Sequence, residues 1–362
     1  MVGSQRIDRD EKNVGQMGVV GSRRGAKPAV RRAERFAFDQ YQEGQDEDDM
    51  PRHRTILLSR ILGRGCKKRH VAGRAAILSR GGGRRRGTCG NCMNDPRDGA
   101  GARGSTVDLL PEFRLLEAAG ARVAVHRRFE AESGARHAFS LKGPGGRSPG
   151  LDEARVAAQL EDCDPAVLKQ AHGDALALRR REPGEGSRQT SPTADGQTTR
   201  EAAIALVIQS ADCLPVLLGD TCSAAVGAAH AGWRGTALSV VSRLVERMAI
   251  DHGCDPARLV ALLGPAIGPC CYEVGEDVAS IFRRRFPAHQ GFLRMAEEAG
   301  GGRMRLDLTG ANAFLLSRSG VPEGRIIRSG LCTACRMDLF PSYRLQGREA
   351  GRMYSLIAPA RR

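Results

Sequence analysis

The chain has 362 residues, carries a formal net charge of +15 and contains 11 cysteines. Most of the excess positive charge lies in the first hundred residues, so the basic balance does not indicate that the rest of the chain binds nucleic acid. No run of 18 apolar residues occurs, which excludes a membrane-spanning helix. The odd cysteine count and the lack of an apolar leader make a reducing cytoplasm the expected compartment.

Residues 1–104 alternate Arg/Gly-rich stretches with one acidic block, EGQDEDD. Few apolar residues interrupt them, so this segment cannot bury enough surface to offset its chain entropy. We expect a disordered basic extension over 1–104 and a folded domain over 105–362. A nucleic-acid-binding extension is an alternative, but its aromatic residues are only Phe36, Phe38 and Tyr41, too few for base stacking.

Between residues 113 and 199 the patterns predict a mixture of elements. FRLLEAAGARVAVHRRFEA is typical of a short helix followed by a strand, HAFSLKGPGGRSPG of a strand that enters a glycine-rich loop, and LDEARVAAQL of a helix. VLKQAHGDALALR predicts two short strands around a turn at His172 and Gly173. Residues 181–199 are polar and predict an exposed loop.

From residue 202 the apolar pattern is stronger. AIALVIQSADCLPVLL predicts a pair of buried strands broken at residues 211–213, and CSAAVGAAH predicts another strand. Thr236 is a candidate N-cap for an amphipathic helix that ends at His252. LVALLGPAIG predicts a further strand, and GEDVASIFRRRF a second amphipathic helix.

His172, Cys213 and His230 each stand at the end of a predicted strand, beside small residues. Imidazole and thiolate are ligands that Zn²⁺ prefers, and three protein ligands with a fourth position open are typical of catalytic zinc. We therefore predict a metal site at these three residues, with copper as an alternative ion. Asp212 adjoins Cys213 and could orient a ligand, so the catalytic roles are assigned to Cys213, His230 and Asp212.

The segment AGWRGT links a buried strand to a helix. Backbone N–H groups at a helix start bind anions, and an arginine adds a bidentate clamp. Arg234, Gly235 and Thr236 are therefore candidate phosphate-binding residues, the alternative being an ordinary tight turn. Near the C-terminus, Tyr343 and Arg344 could bind a ring and an anionic group, the alternative being a strand with solvated charges.

Two cysteine motifs are less decisive. LGPAIGPCCYEV has two Gly-Pro units that predict a rigid loop, either lining a site or burying two thiols. Cys332 and Cys335 form a CxxC, which is half of a zinc site. Cys89 and Cys92 could supply the other half, but they belong to the segment expected to be disordered. We therefore expect the CxxC to pack in the core or to lie near the main site.

Taken in order, QSADCLPVLL, AAHAGWRGT, LGPAIGPCCYEV, CTAC and SYR…GRM resemble the bacterial laccase-domain or polyphenol oxidase proteins, also called peptidoglycan editing factors and purine nucleoside phosphorylases. The resemblance covers about residues 107–360. It implies an α+β fold, a four-layer αββα sandwich with mixed β-sheets. It also implies zinc bound by His172, Cys213 and His230, phosphorolysis of adenosine, inosine and methylthioadenosine, and deamination of adenosine. The chain departs from the pattern at SLKGPGG, Ala171 and Pro341.

Three chemistries remain open. Multicopper oxidases build their clusters from His-x-His pairs, and the 8 histidines here form none, which ranks copper oxidase chemistry low. A catalytic zinc activates water for attack on C6 of adenine, and phosphorolysis needs bound phosphate beside the ribose. A peptidoglycan-precursor hydrolase would instead use Cys213 as nucleophile and His230 as base, and would survive chelation of metal.

Overall fold

The computed structural model describes residues 111–181, 191–287, 290–295 and 303–361. The predicted extension over 1–104 lies outside these residues. The strands are β1 Phe113–Ala118, β2 Ala121–His126, β3 Arg136–Leu141, β4 Asp164–Ala166, β5 Leu176–Leu178, β6 Gly196–Thr199, β7 Ile204–Ser210, β8 Leu214–Asp220, β9 Val226–Ala231, β10 Leu259–Leu263, β11 Glu273–Val274, β12 Leu293–Met295, β13 Met304–Leu306, β14 Ile326–Arg328 and β15 Met353–Ala358. The α-helices are α1 Arg127–Ser133, α2 Leu151–Ala157, α3 Trp233–Ala237, α4 Val240–His252, α5 Glu276–Arg285, α6 Leu308–Arg318 and α7 Tyr343–Gln346.

The strands form two six-stranded sheets and one small sheet. The first sheet has the order β1-β2-β3-β15-β7-β4 and is antiparallel except where β4 pairs with β7. The second has the order β14-β10-β8-β9-β6-β5, with parallel pairs at β10–β14 and β5–β6. Antiparallel β11, β13 and β12 form the third. Both large sheets are therefore mixed.

Alternation along the strands separates the layers. In β7, Leu206 and Ile208 join Leu217 of β8 in one buried cluster, which places them between the large sheets. Val207, one residue along, packs with Ala157 of α2 on the outer face. Val216 and Leu218, the neighbours of Leu217, pack with α4, α5 and α6. Each such side chain contributes roughly 1.5–3 kcal/mol on burial, and the resulting helix–sheet–sheet–helix order confirms the predicted sandwich.

The segment 204–220 forms the two predicted strands, but they are not paired with each other. β7 pairs with β15 in the first sheet, and β8 pairs with β9 and β10 in the second. Residues 211–213 therefore cross from one sheet to the other. A continuous apolar run fits this arrangement because both strands are buried on both faces. The crossing places Asp212 and Cys213 at an edge of the sandwich.

The prediction of a helix over residues 113–118 is wrong. β1 and β2 form an antiparallel hairpin in which Ala118 pairs with Ala121. The two turn residues, Ala119 and Gly120, have φ values of 51° and 75°, the conformation that a tight hairpin turn requires. The Leu-Leu and Ala-Ala pairs on either side of Glu117 fit a short helix as well as a half-buried strand, so the pattern alone did not decide between them.

The predicted exposed loop over 181–199 is wrong at its C-terminal end. β6 is fully buried between β5 and β9 although its sequence is GQTT. Its polar groups have partners: the Gln197 amide donates to the carbonyls of Ala166 and Val207, and its oxygen accepts from Arg179. Buried polar groups are tolerated when they are hydrogen-bonded, which the apolar pattern of a sequence does not reveal.

The helices after residue 230 differ from prediction mainly at their starts. Thr236 is not an N-cap, because it lies inside α3, which follows Gly232. The longer helix α4 begins after Ser239 and ends at His252, with Gly253 in the left-handed conformation, as expected for a glycine C-cap. In the turn at His172 only the following strand, β5, forms as predicted; the preceding segment makes an isolated bridge from Lys169 to Thr193. No helix of the described ranges is long and apolar enough to cross a bilayer.

Candidate metal centre

Three connections bring the predicted metal ligands together. His172 lies between β4 and β5, Cys213 in the crossing from β7 to β8, and His230 in β9. Their ligand atoms all lie within 4.8 Å of one another. The two imidazole rings meet edge to face, with centroids 4.8 Å apart and an interplanar angle of 77°. The structure therefore places side by side the two nitrogens and the sulfur that the sequence analysis selected.

The three side chains differ in exposure. His230 is only 2 % exposed, Cys213 is partly buried, and His172 is exposed. The cluster is thus buried on one side and accessible on the other. Two imidazoles and one thiolate with an accessible side fit a metal with one position free for substrate, the arrangement of catalytic rather than structural zinc.

Asp195 holds two of these residues in place, and the sequence analysis did not identify it. Its Oδ1 lies 2.9 Å from Nδ1 of His230, and the carboxylate is almost fully buried. The same carboxylate accepts the backbone N–H groups of Ala171, His172 and Gly173 at 2.7–3.1 Å. These bonds fix the turn in which His172 has a φ of 60°. Such a carboxylate orients the ring and leaves Nε2 free for a metal.

The hydrogen bonds within the cluster move the pKa values of its members. Burial raises the pKa of the Cys213 thiol, but hydrogen bonds with His172 and His230 outweigh it and lower the value to about 6. Burial lowers the pKa of His230, while the hydrogen bonds with Asp195 and Cys213 raise it to about 9. Without a metal, therefore, Cys213 is a thiolate beside an imidazolium at neutral pH.

The Asp212 carboxylate is hydrogen-bonded to residues other than the two histidines. Its Oδ1 accepts the Thr333 hydroxyl at 2.6 Å, and its Oδ2 accepts the Ser342 hydroxyl at 3.1 Å and the backbone N–H of Arg344 at 2.6 Å. Its backbone has a φ of 85° and its carbonyl accepts the N–H of Ile267. Asp212 thus ties three connections together beside Cys213, and the carboxylate that contacts a ligand histidine is Asp195.

The predicted phosphate residues are placed differently from one another. Arg234 is exposed and stacks 4.4 Å from the centroid of the Trp233 ring. In the described ranges no carboxylate forms an ion pair with it. Gly235 is buried, and a Cβ there would lie 3.0 Å from the carbonyl oxygen of Gly173. Thr236 is fully buried, donating to Gly232 and accepting from Asn312. Both hydrogen bonds of its hydroxyl are therefore made inside the fold, and a role of Thr236 in phosphate binding stays a prediction.

Tyr343 and Arg344 belong to helix α7 rather than to a strand, and both are exposed. The Arg344 guanidinium donates to the Glu273 carbonyl and lies 5.2 Å from the centroid of the Tyr272 ring. Burial raises the pKa of Tyr272 to about 12, with further effects from the charges of Cys213, Arg344, Asp212 and Arg234. Tyr272 therefore lies within electrostatic reach of the cluster and of both arginines, although the sequence analysis gave it no role.

The CxxC motif and the Cys-Cys pair of the LGPAIGPCCYEV segment lie together in the fold. Cys332 and Cys335 lie against Cys270 and Cys271 in a second cluster. The predicted alternative, a pairing with Cys89 and Cys92, concerns residues outside the described ranges.

Comparison with known proteins relates this arrangement to other chains. A phosphorylase from Deinococcus radiodurans named "Purine nucleoside phosphorylase" is 40 % identical over 215 residues, which is 58 % of this chain and 77 % of that protein. A protein from an unknown prokaryotic organism named "Adenosine deaminase RL5" is 32 % identical over 209 residues, 57 % of this chain and 75 % of that one. The crystal structure of YlmD from Geobacillus stearothermophilus superimposes with a TM-score of 0.59 at 28 % identity, covering 69 % of this chain and 99 % of that one.

The family model described as "Multi-copper polyphenol oxidoreductase laccase" matches residues 152–360. That range is more than half of the chain and includes His172, Cys213 and His230 together with Asp195, which holds the two histidines. With the sandwich fold and the order of its motifs, this shows that the chain belongs to the multi-copper polyphenol oxidoreductase laccase family.

Proposed function

We propose that this chain is a zinc-dependent purine nucleoside phosphorylase that acts on adenosine, inosine and methylthioadenosine and also deaminates adenosine. The observation that carries the proposal is the accessible cluster of His172, Cys213 and His230, held by Asp195. The names of the similar phosphorylase and deaminase support it. The reaction expected in the cell is transfer of the ribosyl group to phosphate.

The donor set fits zinc. Two neutral imidazoles and one thiolate are borderline-to-soft ligands, and the buried carboxylate behind His230 fixes which nitrogen is free. A zinc ion there would act as a Lewis acid and lower the pKa of bound water towards about 7. The same ligands also suit copper, but a single three-ligand centre lacks the several coppers that reduction of O₂ to water requires.

Phosphate has a candidate partner in Arg234. The guanidinium is fixed in direction by stacking on Trp233 and lacks an ion-pair partner among the described residues, so its N–H groups are available to an anion. Bound phosphate would be positioned for attack at the anomeric carbon of the ribose. Tyr343 and Arg344 on α7 are candidates for holding the purine and an anionic group, because α7 is fastened to Asp212 beside the cluster.

The activity is tested by incubating the purified chain with adenosine, with and without phosphate, and separating the products by chromatography. Adenine that forms only with phosphate is the expected main product, with a smaller amount of inosine that forms without it. Bound metal is quantified in the same sample. A chain that holds zinc but converts no nucleoside under either condition contradicts the proposal.

Arg234→Ala is expected to raise the KM for phosphate about 10- to 100-fold, the value of one or two charge-assisted hydrogen bonds. The KM for adenosine should change little, since the proposed contact is to phosphate. The matched control is Arg318→Ala, which removes another exposed arginine stacked on an aromatic ring, Phe314 of α6. Initial rates at varied phosphate measure the effect, and an unchanged KM for phosphate would refute the assignment.

A second candidate function rests on one observation. Cys213, His230 and Asp195 form a continuous thiol–imidazole–carboxylate array, and the pKa of Cys213 is lowered to about 6. An ionised thiol beside an oriented imidazole is the arrangement of a cysteine hydrolase. A peptidoglycan-precursor hydrolase of this kind would keep its activity after removal of the metal by a chelator, whereas the proposed zinc enzyme would lose it.

A further inference from the structure

Four sulfur atoms lie together outside the candidate metal centre. Cys270 and Cys271 belong to the connection from β10 to β11, and Cys332 and Cys335 follow β14. All four Sγ atoms lie within 4.8 Å of one another. The Cys335 sulfur lies 3.4 Å from that of Cys271 and 3.5 Å from that of Cys270. None of the four forms a disulfide.

The fold brings these two segments side by side. β10 and β14 are parallel neighbours, so the segments that leave them run in the same direction. The pairing continues past the strands as a bridge between Ala266 and Cys332, with the Thr333 N–H donating to the Ala266 carbonyl at 3.0 Å. A Cys-Cys pair and a CxxC pair that lie far apart in the sequence thereby face each other.

The separations fit a tetrahedral metal better than a disulfide. Four sulfurs at the usual zinc–sulfur distance of about 2.3 Å are about 3.8 Å from one another, within the range observed here. A disulfide needs two sulfurs at about 2.0 Å and leaves two thiols over. In addition, the backbone N–H groups of Gly268 and Cys335 point at the Cys332 sulfur at 3.3 and 3.5 Å. Such contacts stabilise a thiolate and orient it as a ligand.

We propose that Cys270, Cys271, Cys332 and Cys335 form a second metal site, a closed tetrathiolate site for zinc. Four protein ligands leave no position for substrate, so this site is structural. It requires no part of the proposed nucleoside chemistry. Ile267 and Ala334 are buried against it, which shields the cluster from solvent on one side, while Cys335 on the other side is exposed.

The two segments that carry the four cysteines also contact Asp212, the residue before Cys213 in the candidate metal centre. Thr333, between two of the ligands in the sequence, donates its hydroxyl to Asp212 at 2.6 Å. Ile267, three residues before Cys270, donates its N–H to the Asp212 carbonyl at 2.9 Å. A metal that clamps both segments would therefore hold the connection that carries Cys213.

The test is the zinc content of the full chain after a weak chelator has removed loosely bound metal. Cys335→Ser is expected to hold about one zinc per chain less than the wild type and to unfold at a lower temperature. The matched control is Cys222→Ser, which replaces an exposed cysteine that belongs to neither cluster and should retain all the zinc. Reconstitution with cobalt should give intense thiolate-to-cobalt absorption; Cys335→Ser should keep only the weaker part that the single thiolate of Cys213 contributes, and His172→Ala should keep the intense part.

Three results would overturn the proposal: a zinc content unchanged in both Cys335→Ser and Cys270→Ser, a loss of zinc in Cys89→Ser/Cys92→Ser with none in Cys270→Ser, or a thiol titration showing a disulfide within the cluster. If the cluster variants fail to fold, X-ray absorption of the zinc-loaded wild type decides. A shell dominated by sulfur at about 2.3 Å supports the site, and a nitrogen-dominated shell contradicts it.

Discussion

Cys213→Ala is expected to lose about one zinc per chain and all measurable nucleoside turnover, whereas Cys213→Asp is expected to keep part of both. Alanine supplies no donor atom, and the two histidines alone leave the ion too weakly held. Aspartate supplies a carboxylate oxygen, which binds zinc at a distance of about 2.0–2.2 Å and suits the same ion. Metal analysis and phosphate-dependent release of adenine measure the two effects.

The contrast between these variants separates the two candidate functions. If Cys213 is a nucleophile, aspartate cannot replace the thiolate and both variants should be equally inactive, while the wild type should remain active in a chelator. If Cys213 is a ligand, the wild type should lose activity in the chelator and regain it with zinc. Cys222→Ala is the control for general thiol removal, since Cys222 is an exposed cysteine in the turn between β8 and β9 and belongs to neither cluster.

The strongly apolar strands and the ligand set of the metal centre were predictable from the sequence. The runs 204–210, 214–220 and 226–231 are strands, and their apolar residues are buried on both faces. Their polar interruption, at residues 211–213, therefore had to lie at an edge of a sheet. His230, the last residue but one of β9, lies beside this interruption, since it pairs with Pro215. The pattern thus indicated where the site would be.

The sequence could not indicate which polar residues are buried. Asp195 stands in SPTADGQTT, a stretch whose composition is typical of an exposed loop. It is buried because the N–H groups of residues 171–173 and the His230 ring satisfy its carboxylate. The only local sign was an Asp-Gly just before a strand, which also occurs in ordinary turns.

Contacts between segments that lie far apart in the chain could not be predicted from the sequence either. From the sequence, the CxxC of Cys332 and Cys335 indicates half of a metal site, and the rigid loop of Cys270 and Cys271 indicates two thiols that either line a site or are buried. Nothing in the spacing joined them, because their contact depends on the parallel pairing of β10 with β14. Likewise, Thr236 resembled an N-cap because it precedes a helical pattern, yet Gly232 begins the first helix and Thr236 bonds to Asn312.

At pH 9, where proton competition at His230 is small in both proteins, Asp195→Asn is expected to weaken zinc binding about 10- to 100-fold, the usual effect of removing a carboxylate that orients a metal-binding histidine. An amide can accept from the His230 ring or from the backbone of residues 171–173, but its NH₂ group then faces N–H donors on the other side. Competition with a chelator of known affinity measures the loss. The control is Asp174→Asn. Asp174 lies two residues after His172 and forms an ion pair with Arg243 of α4, and its variant should bind zinc normally.

The pH dependence distinguishes orientation of His230 from a general loss of structure. In the metal-free wild type, Asp195 helps to raise the pKa of His230 to about 9, so zinc must displace a proton from the ring below that pH. The wild-type affinity should therefore increase up to about pH 9. Without the carboxylate the pKa of His230 falls, so protons stop competing with zinc at a lower pH. The zinc affinity of Asp195→Asn should therefore level off at a lower pH than that of the wild type. The ratio of the two affinities is then larger at pH 9 than at pH 7; a ratio independent of pH would mean that Asp195 only supports the turn at His172.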